Sequence, residues 1–200
     1  MQATPLGGLP ARIFLHRHWQ KRPLLVRGAL PGWRVLTKRA LFALSGRDDV
    51  ESRLVERLGE RWSVTHGPIV RSRLARARLR GWTLLVQGVN LHLPAADRLL
   101  RRFDFLPQAR LDDVMVSYAA PGGGVGPHCD SYDVFLLQGP GRRIWRFSRP
   151  KDYSLVPGAP LKLIKDFDAE EELLVEPGDL LYLPPGWGHE GIVLDPCITY

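Results

Sequence analysis

Along the first sixty residues, apolar positions recur mostly at helical spacing. Phe14, Leu15 and Trp19 precede a Lys21-Arg22-Pro23 break, and Leu41, Phe42 and Leu44 follow Thr37, whose hydroxyl suits a helix N-cap. Between them Leu24-Leu25-Val26 reads as a short strand. From about Trp62 the pattern changes to short apolar or alternating runs separated by Gly and Pro. Strands are predicted over 83–87, 114–118, 134–138, 144–147, 172–175, 180–183 and 192–194, with one helix within 95–102. Many short strands with turn signals between them predict a mainly β fold with flanking helices, a jelly roll of two facing sheets. No repeat, linker or low-complexity stretch divides the chain. The expected organisation is a helical N-terminal part over 1–60 and a β core over 61–200. Cys197 to Tyr200 reads as the start of a strand, which predicts that the core continues past the end of this sequence.

Composition narrows the class. At 200 residues, with 44% hydrophobic and 24% charged positions, the chain can bury one core. No run approaches the ~18 consecutive apolar residues of a spanning helix, and the N-terminus, with Pro5, Pro10 and Arg12, lacks the apolar centre of a signal peptide. A cytoplasmic location and no membrane partner are expected. The two cysteines, Cys129 and Cys197, form no CxxC pair and read as free thiols. The net charge of +7 includes a dense stretch at Arg71, Arg73, Arg76, Arg78 and Arg80. Interleaved with leucine and alanine, it reads first as a solvated face, with a weak RNA contact as the alternative.

The chemistry concentrates in two segments, Gly126-Pro127-His128-Cys129-Asp130 and Pro184-Pro185-Gly186-Trp187-Gly188-His189. In extended chain, positions i and i+2 share a face, so His128 and Asp130 present an imidazole and a carboxylate together while Cys129 turns away. With His189 delivered just past a strand, they form a two-histidine, one-carboxylate set that leaves coordination positions open. His-x-Asp alone arises often by chance. The glycine turn at Gly122-Gly123-Gly124 and the tight turn at Glu176-Pro177-Gly178-Asp179, which lead into the two segments, favour a metal site over structural histidines. His16, His18, His66 and His92 read as surface or loop residues. A second feature is the turn Gln138-Gly139-Pro140-Gly141-Arg142-Arg143, which enters a strand. A dicarboxylate such as 2-oxoglutarate needs its distal carboxylate on a fixed fork of donors. Arg143 suits that task, and Ser117 could add a hydroxyl from a neighbouring strand that carries Asp113, Met115 and Ser117 on one face.

These residues, with Asp112-Asp113-Val114-Met115-Val116-Ser117, Pro121 to Phe135 and Pro184 to Gly191, resemble the bacterial ribosomal oxygenases of the jumonji-C (cupin) family. Less specific similarity extends to the Trp19 to Leu24, Ser52 to Val55 and Thr65 to Pro68 segments. The resemblance implies a double-stranded β-helix, iron(II), 2-oxoglutarate and dioxygen, and hydroxylation of an arginine in a large-subunit ribosomal protein. It implies His128, Asp130 and His189 as the iron ligands and Arg143 as the co-substrate's anchor. Members of this family continue into a further core strand, a helical dimerisation region and a small winged-helix-like domain, and the full-length proteins are homodimers. For an arginine substrate, Asp113 is expected to meet the guanidinium and the Tyr132 ring to flank it. Two rivals are a metal-dependent cupin without 2-oxoglutarate and a non-catalytic RNA- or ribosome-binding module. Asp130 at its spacing from His128 disfavours the first, and an intact triad disfavours the second.

Overall fold

The computed structural model describes residues 4–75 and 79–200. The chain opens with α1 (Ala11–Arg17), β1 (Leu24–Val26) and α2 (Lys38–Leu44), then a hairpin of β2 (Ser52–Leu58) and β3 (Arg61–His66). After α3 (Arg71–Ala75) come β4 (Trp82–Val86), α4 (Pro94–Leu100), β5 (Val116–Ala119) and β6 (His128–Cys129). The remainder is β7 (Val134–Leu137), β8 (Arg143–Ser148), β9 (Glu171–Val175), β10 (Leu180–Leu183), β11 (Gly188–Val193) and β12 (Cys197–Thr199). The Thr37 hydroxyl caps α2 by accepting from Ala40 N at 3.2 Å.

Three sheets are present among the described residues, in the orders β1-β10-β7, β6-β11-β8-β9 and β12-β5-β4-β2-β3. The first and third are continuous. Leu137 and Tyr200 exchange both backbone hydrogen bonds at 2.9 Å, and Gln138 bridges Thr199. The result is one long bent surface facing the four-stranded sheet, the expected jelly roll. In the third sheet Leu54, Leu84, Tyr118 and Ile198 turn outward into the main core, where Leu41, Leu44, Leu99 and Phe103 from the helical side cover them. The opposite face, carrying Ser117, Ala119, Cys197 and Thr199, looks into the barrel. Strand β10 is buried on both faces, which is why it reads as the unbroken run Leu-Leu-Tyr-Leu.

The structure departs from the sequence reading in three places. The first sixty residues are not wholly helical, because Ser52–Leu58 is a strand between β3 and β4. Arg53, Glu56 and Arg57 interrupt its alternation, and only pairing on both sides makes it a strand. The strand predicted over 192–194 begins at Gly188, so His189, which follows β10 as expected, itself lies within a further strand. Two glycines hid it. The strand entered by Asp113 begins only at Val116. In the arginine stretch, Arg71 and Arg73 lie on α3 and Arg80 is exposed, while Arg76 and Arg78 fall outside the described residues. No described helix is long and apolar enough to cross a membrane.

Candidate metal centre

Register brings the site together. Strand β11 lies between β6 and β8, so His189 is opposite His128 on one side and Phe147 on the other. By period-2 alternation Gly191 and Val193 follow on the same face, opposite Trp145 and Arg143. His128, His189, Trp145 and Arg143 therefore all point into the barrel. Asp130, one residue past the two-residue strand β6, places Oδ2 at 4.0 Å from His128 Nε2 and 3.7 Å from His189 Nε2. The three candidate ligand atoms lie within 4.8 Å of one another, and among the described residues this is the one such group.

Each histidine is oriented by the carbonyl two residues before it. His128 Nδ1 is 2.9 Å from Gly126 O, and His189 Nδ1 is 3.0 Å from Trp187 O. A carbonyl can only accept, so both Nδ1 atoms carry the hydrogen and both Nε2 lone pairs are left facing Asp130. Burial holds His189 neutral, its pKa lowered to about 3, with the proximity of a second imidazole, His128, adding to the effect and the Trp187 carbonyl opposing it. Burial also pushes the Asp130 carboxyl above its usual range, against the pull of His128 and the Tyr132 hydroxyl. A divalent cation would stabilise the ionised carboxylate and use both neutral imidazoles. Two nitrogens and one oxygen on one side of an ion are the donor set of non-haem iron(II) sites with open positions.

Arg143 is 5% exposed and packs its guanidinium 5.1 Å from the centroid of the Trp145 ring, itself 5.8 Å from His189. Its one hydrogen bond among the described residues goes from Nη2 to Cys197 Sγ at 3.5 Å, and Nε is buried without an acceptor. A buried cation with no carboxylate is costly by itself and suits an anionic ligand in the barrel. Ser117 is buried on β5, on the face that carries Cys197 two pairs away in the ladder. Asp113 is half-buried, and its Oδ2 accepts from Gly88 N at 2.5 Å. Burial raises its pKa despite that bond, with Asp112 and Glu51 adding to the rise. Tyr132 is 62% exposed, with its hydroxyl end near Asp130, Asp113 and Arg53.

A family profile described as JmjC domain matches residues 98–200. The chain belongs to the JmjC family. It is 42% identical over 190 residues to the ribosomal protein uL16 3-hydroxylase of Escherichia coli K12, covering 94% of this chain and 50% of that protein. It is also 37% identical to a probable ribosomal oxygenase of Haemophilus influenzae, covering 94% of this chain and 48% of the relative. The chain thus spans about half the length of the curated relatives it matches. Among solved structures, the E. coli ribosomal oxygenase YcfD in complex with cobalt and 2-oxoglutarate superposes with a TM-score of 0.85 at 39% identity. That match covers 96% of this chain and 50% of YcfD.

Sequence reasoning missed three supports of this JmjC site. Gly126 O and Trp187 O act through the backbone, so no residue type announces them. Gly191 is the third. A Cβ there would lie 2.8 Å from Arg143 Cδ and 3.1 Å from Nη1, so only glycine lets the arginine cross the strand. Its signal was present as a glycine two positions after a strand histidine, on the same face.

Proposed function

We propose that this chain is the catalytic core of an iron(II)- and 2-oxoglutarate-dependent protein hydroxylase that acts on an arginine of a large-subunit ribosomal protein. One observation carries the reading. A three-ligand set with both Nε2 atoms preset shares its sheet face with a buried arginine that has no carboxylate partner among the described residues. The name of the E. coli relative and the cobalt and 2-oxoglutarate bound by YcfD support it. The metal-only cupin reading leaves buried Arg143 without a purpose.

When bound, iron(II) with 2-oxoglutarate and dioxygen supplies the oxidation that converts a C–H bond to C–OH, with succinate and carbon dioxide as the other products. His128, Asp130 and His189 would hold the iron. Arg143 anchors the distal carboxylate through its planar fork, and Ser117 adds a hydroxyl. Trp145 and Val193 keep that end of the barrel apolar, which strengthens the charged contact. At the outer end Asp113 accepts the substrate guanidinium and the Tyr132 ring flanks it, an arrangement worth roughly 0.5–2 kcal/mol. Such an enzyme works where ribosomal proteins are made, in the cytoplasm. Assembly as a homodimer rests on the family resemblance, and sedimentation of the protein tests it.

The deciding experiment supplies purified protein with iron(II), 2-oxoglutarate and large-subunit ribosomal proteins, and measures succinate together with a one-oxygen mass gain on an arginine. Both are expected from the wild type and neither from Asp130→Ala. Equal turnover by Asp130→Ala, or no oxygen transfer to any arginine by the wild type, would refute the reading.

A further inference from the structure

Beside the barrel mouth, the β2–β3 hairpin and the Arg80-Gly81-Trp82 segment enclose a groove of about 350 Å³. Strand β3 is an edge of its sheet. Arg57, Arg61 and Arg80 line the groove, all three exposed. Among the described residues none of them pairs with a carboxylate, and the groove's one acid, Glu56, is taken by Arg73. Ordinary solvated faces intersperse both signs of charge, whereas here three cations that make no ion pair among the described residues line one groove, and an anion relieves their mutual repulsion.

The groove is also ordered. Arg57 Nε donates to Gly59 O at 2.9 Å, and its guanidinium lies 5.1 Å from the centroid of the Trp62 ring. That contact sets a guanidinium beside an indole, next to two further forks. Such forks match phosphate geometry, and planar groups of this kind take unstacked bases. Trp62, which lines the groove, lies against the loop that leads to His128. Gly126 has φ +74°, and a Cβ built on it would lie 3.2 Å from the Trp62 ring, while the carbonyl of this same glycine orients His128.

We propose that this groove binds the sugar–phosphate backbone and a base of single-stranded RNA, holding it alongside the candidate metal centre. Acidic peptides share the charge but not the stacking bases, so RNA is the better match to the Arg57–Trp62 surface. The inference goes beyond the hydroxylase reading and does not depend on it. RNA binding is measured without iron or 2-oxoglutarate, so either idea can fail alone.

The test is fluorescence anisotropy of a labelled oligouridine with the protein across a potassium chloride series. Three phosphate contacts predict a log–log salt slope of about −2, at roughly 0.7 per contact. The variant Arg57→Ser/Arg61→Ser/Arg80→Ser is expected to bind about tenfold or more weakly with a slope near zero. The control Arg12→Ser/Arg17→Ser/Arg98→Ser, which removes equal charge from exposed positions elsewhere, should bind as the wild type does. Should loss of Arg57 disturb the hairpin, Arg61→Ser/Arg80→Ser keeps the Arg57–Trp62 contact and should still lower the slope by about 1.4. The proposal is overturned if the wild type does not bind, if groove variants bind like wild type, or if both triple variants weaken equally. Displacement by polyglutamate as effective as by unlabelled oligouridine would overturn it too, assigning the groove to acidic protein.

Discussion

Adding one methyl group at Gly191 should separate the co-substrate anchor from the metal. In β11 this glycine faces Trp145 across the strand pair, and its backbone has no conformation that alanine would resist. The new Cβ would sit 2.8 Å from Arg143 Cδ, 3.1 Å from Nη1 and 3.1 Å from a Trp145 ring carbon. Real carbons need several tenths of an ångström more. The Arg143 side chain has little room to yield, hemmed by the Trp145 ring on one side and Cys197 Sγ on the other. Overpacking of this kind costs about 1–3 kcal/mol. If the strain is relieved by moving the guanidinium off its anchoring position, the loss appears in co-substrate affinity as roughly five- to a hundredfold. The three atoms nearest the new methyl belong to Arg143 and Trp145, and the His189 ring is set by the Trp187 carbonyl, so metal affinity should be unchanged. Calorimetric titration of 2-oxoglutarate into cobalt-loaded Gly191→Ala, beside a separate cobalt titration, reads both quantities. Wild-type affinity for 2-oxoglutarate would refute the reasoning, as would equal losses in both titrations.

Three further outcomes are expected. Asp179→Ala removes a carboxylate that accepts from Arg27 at 2.6 Å, Gly28 N at 2.8 Å and Glu176 N at 3.0 Å. Leaving those donors unpaired should cost about 3 kcal/mol, a fall of roughly 6–12 °C in thermal melting, and an unchanged melt would show the turn to be unimportant. Cobalt at a hundredfold excess over its Kd should stabilise the wild type by about 2.7 kcal/mol and raise its Tm by roughly 5–10 °C. Asp130→Ala should lose most of that rise; an equal rise in the variant places the metal elsewhere. Asp113→Ala should weaken ribosomal-protein binding by about ten- to a hundredfold while 2-oxoglutarate binding holds, and wild-type substrate affinity in this variant would remove Asp113 from the substrate's path.

What the sequence made legible was local. Leu180–Leu183 and Leu24–Val26 were readable to the residue, because an apolar run bounded by turn residues has few other interpretations. That His128, Asp130 and His189 would meet was readable from residue type and spacing, since His128 and Asp130 are separated by one residue and His189 follows a Pro-Pro-Gly turn. What stayed hidden depends on pairing. Strand β3, with Arg61, Ser63 and Thr65 toward solvent, carries too little apolar signal to be told from a loop until β2 is laid beside it. Two glycines, Gly188 and Gly191, mask β11, each kept free of a side chain by a neighbour crowding in from another part of the chain. That Arg143 lies on the same face as His189 follows only from the register of β8 on β11, which no spacing along one chain expresses. Asp113 was expected inside a strand and stands before one, its carboxylate already held by the Gly88 amide.

The matched backbone bonds to the two histidines have a further consequence for how the site can vary. The acceptors that set both imidazoles are main-chain oxygens, so the chemical identity of residue 187 is free to change without altering His189's tautomer. Residue 126 is constrained by its left-handed turn and crowding, not by what its carbonyl does. Substitution at these two positions should therefore be limited by different things, by packing of the Trp187 ring against Phe147 beside one ligand and by backbone conformation beside the other, even though the two carbonyls perform the same task. Both rings are also set before any ion arrives. A cation entering between them finds its nitrogen donors already turned toward it and has little side-chain ordering left to impose.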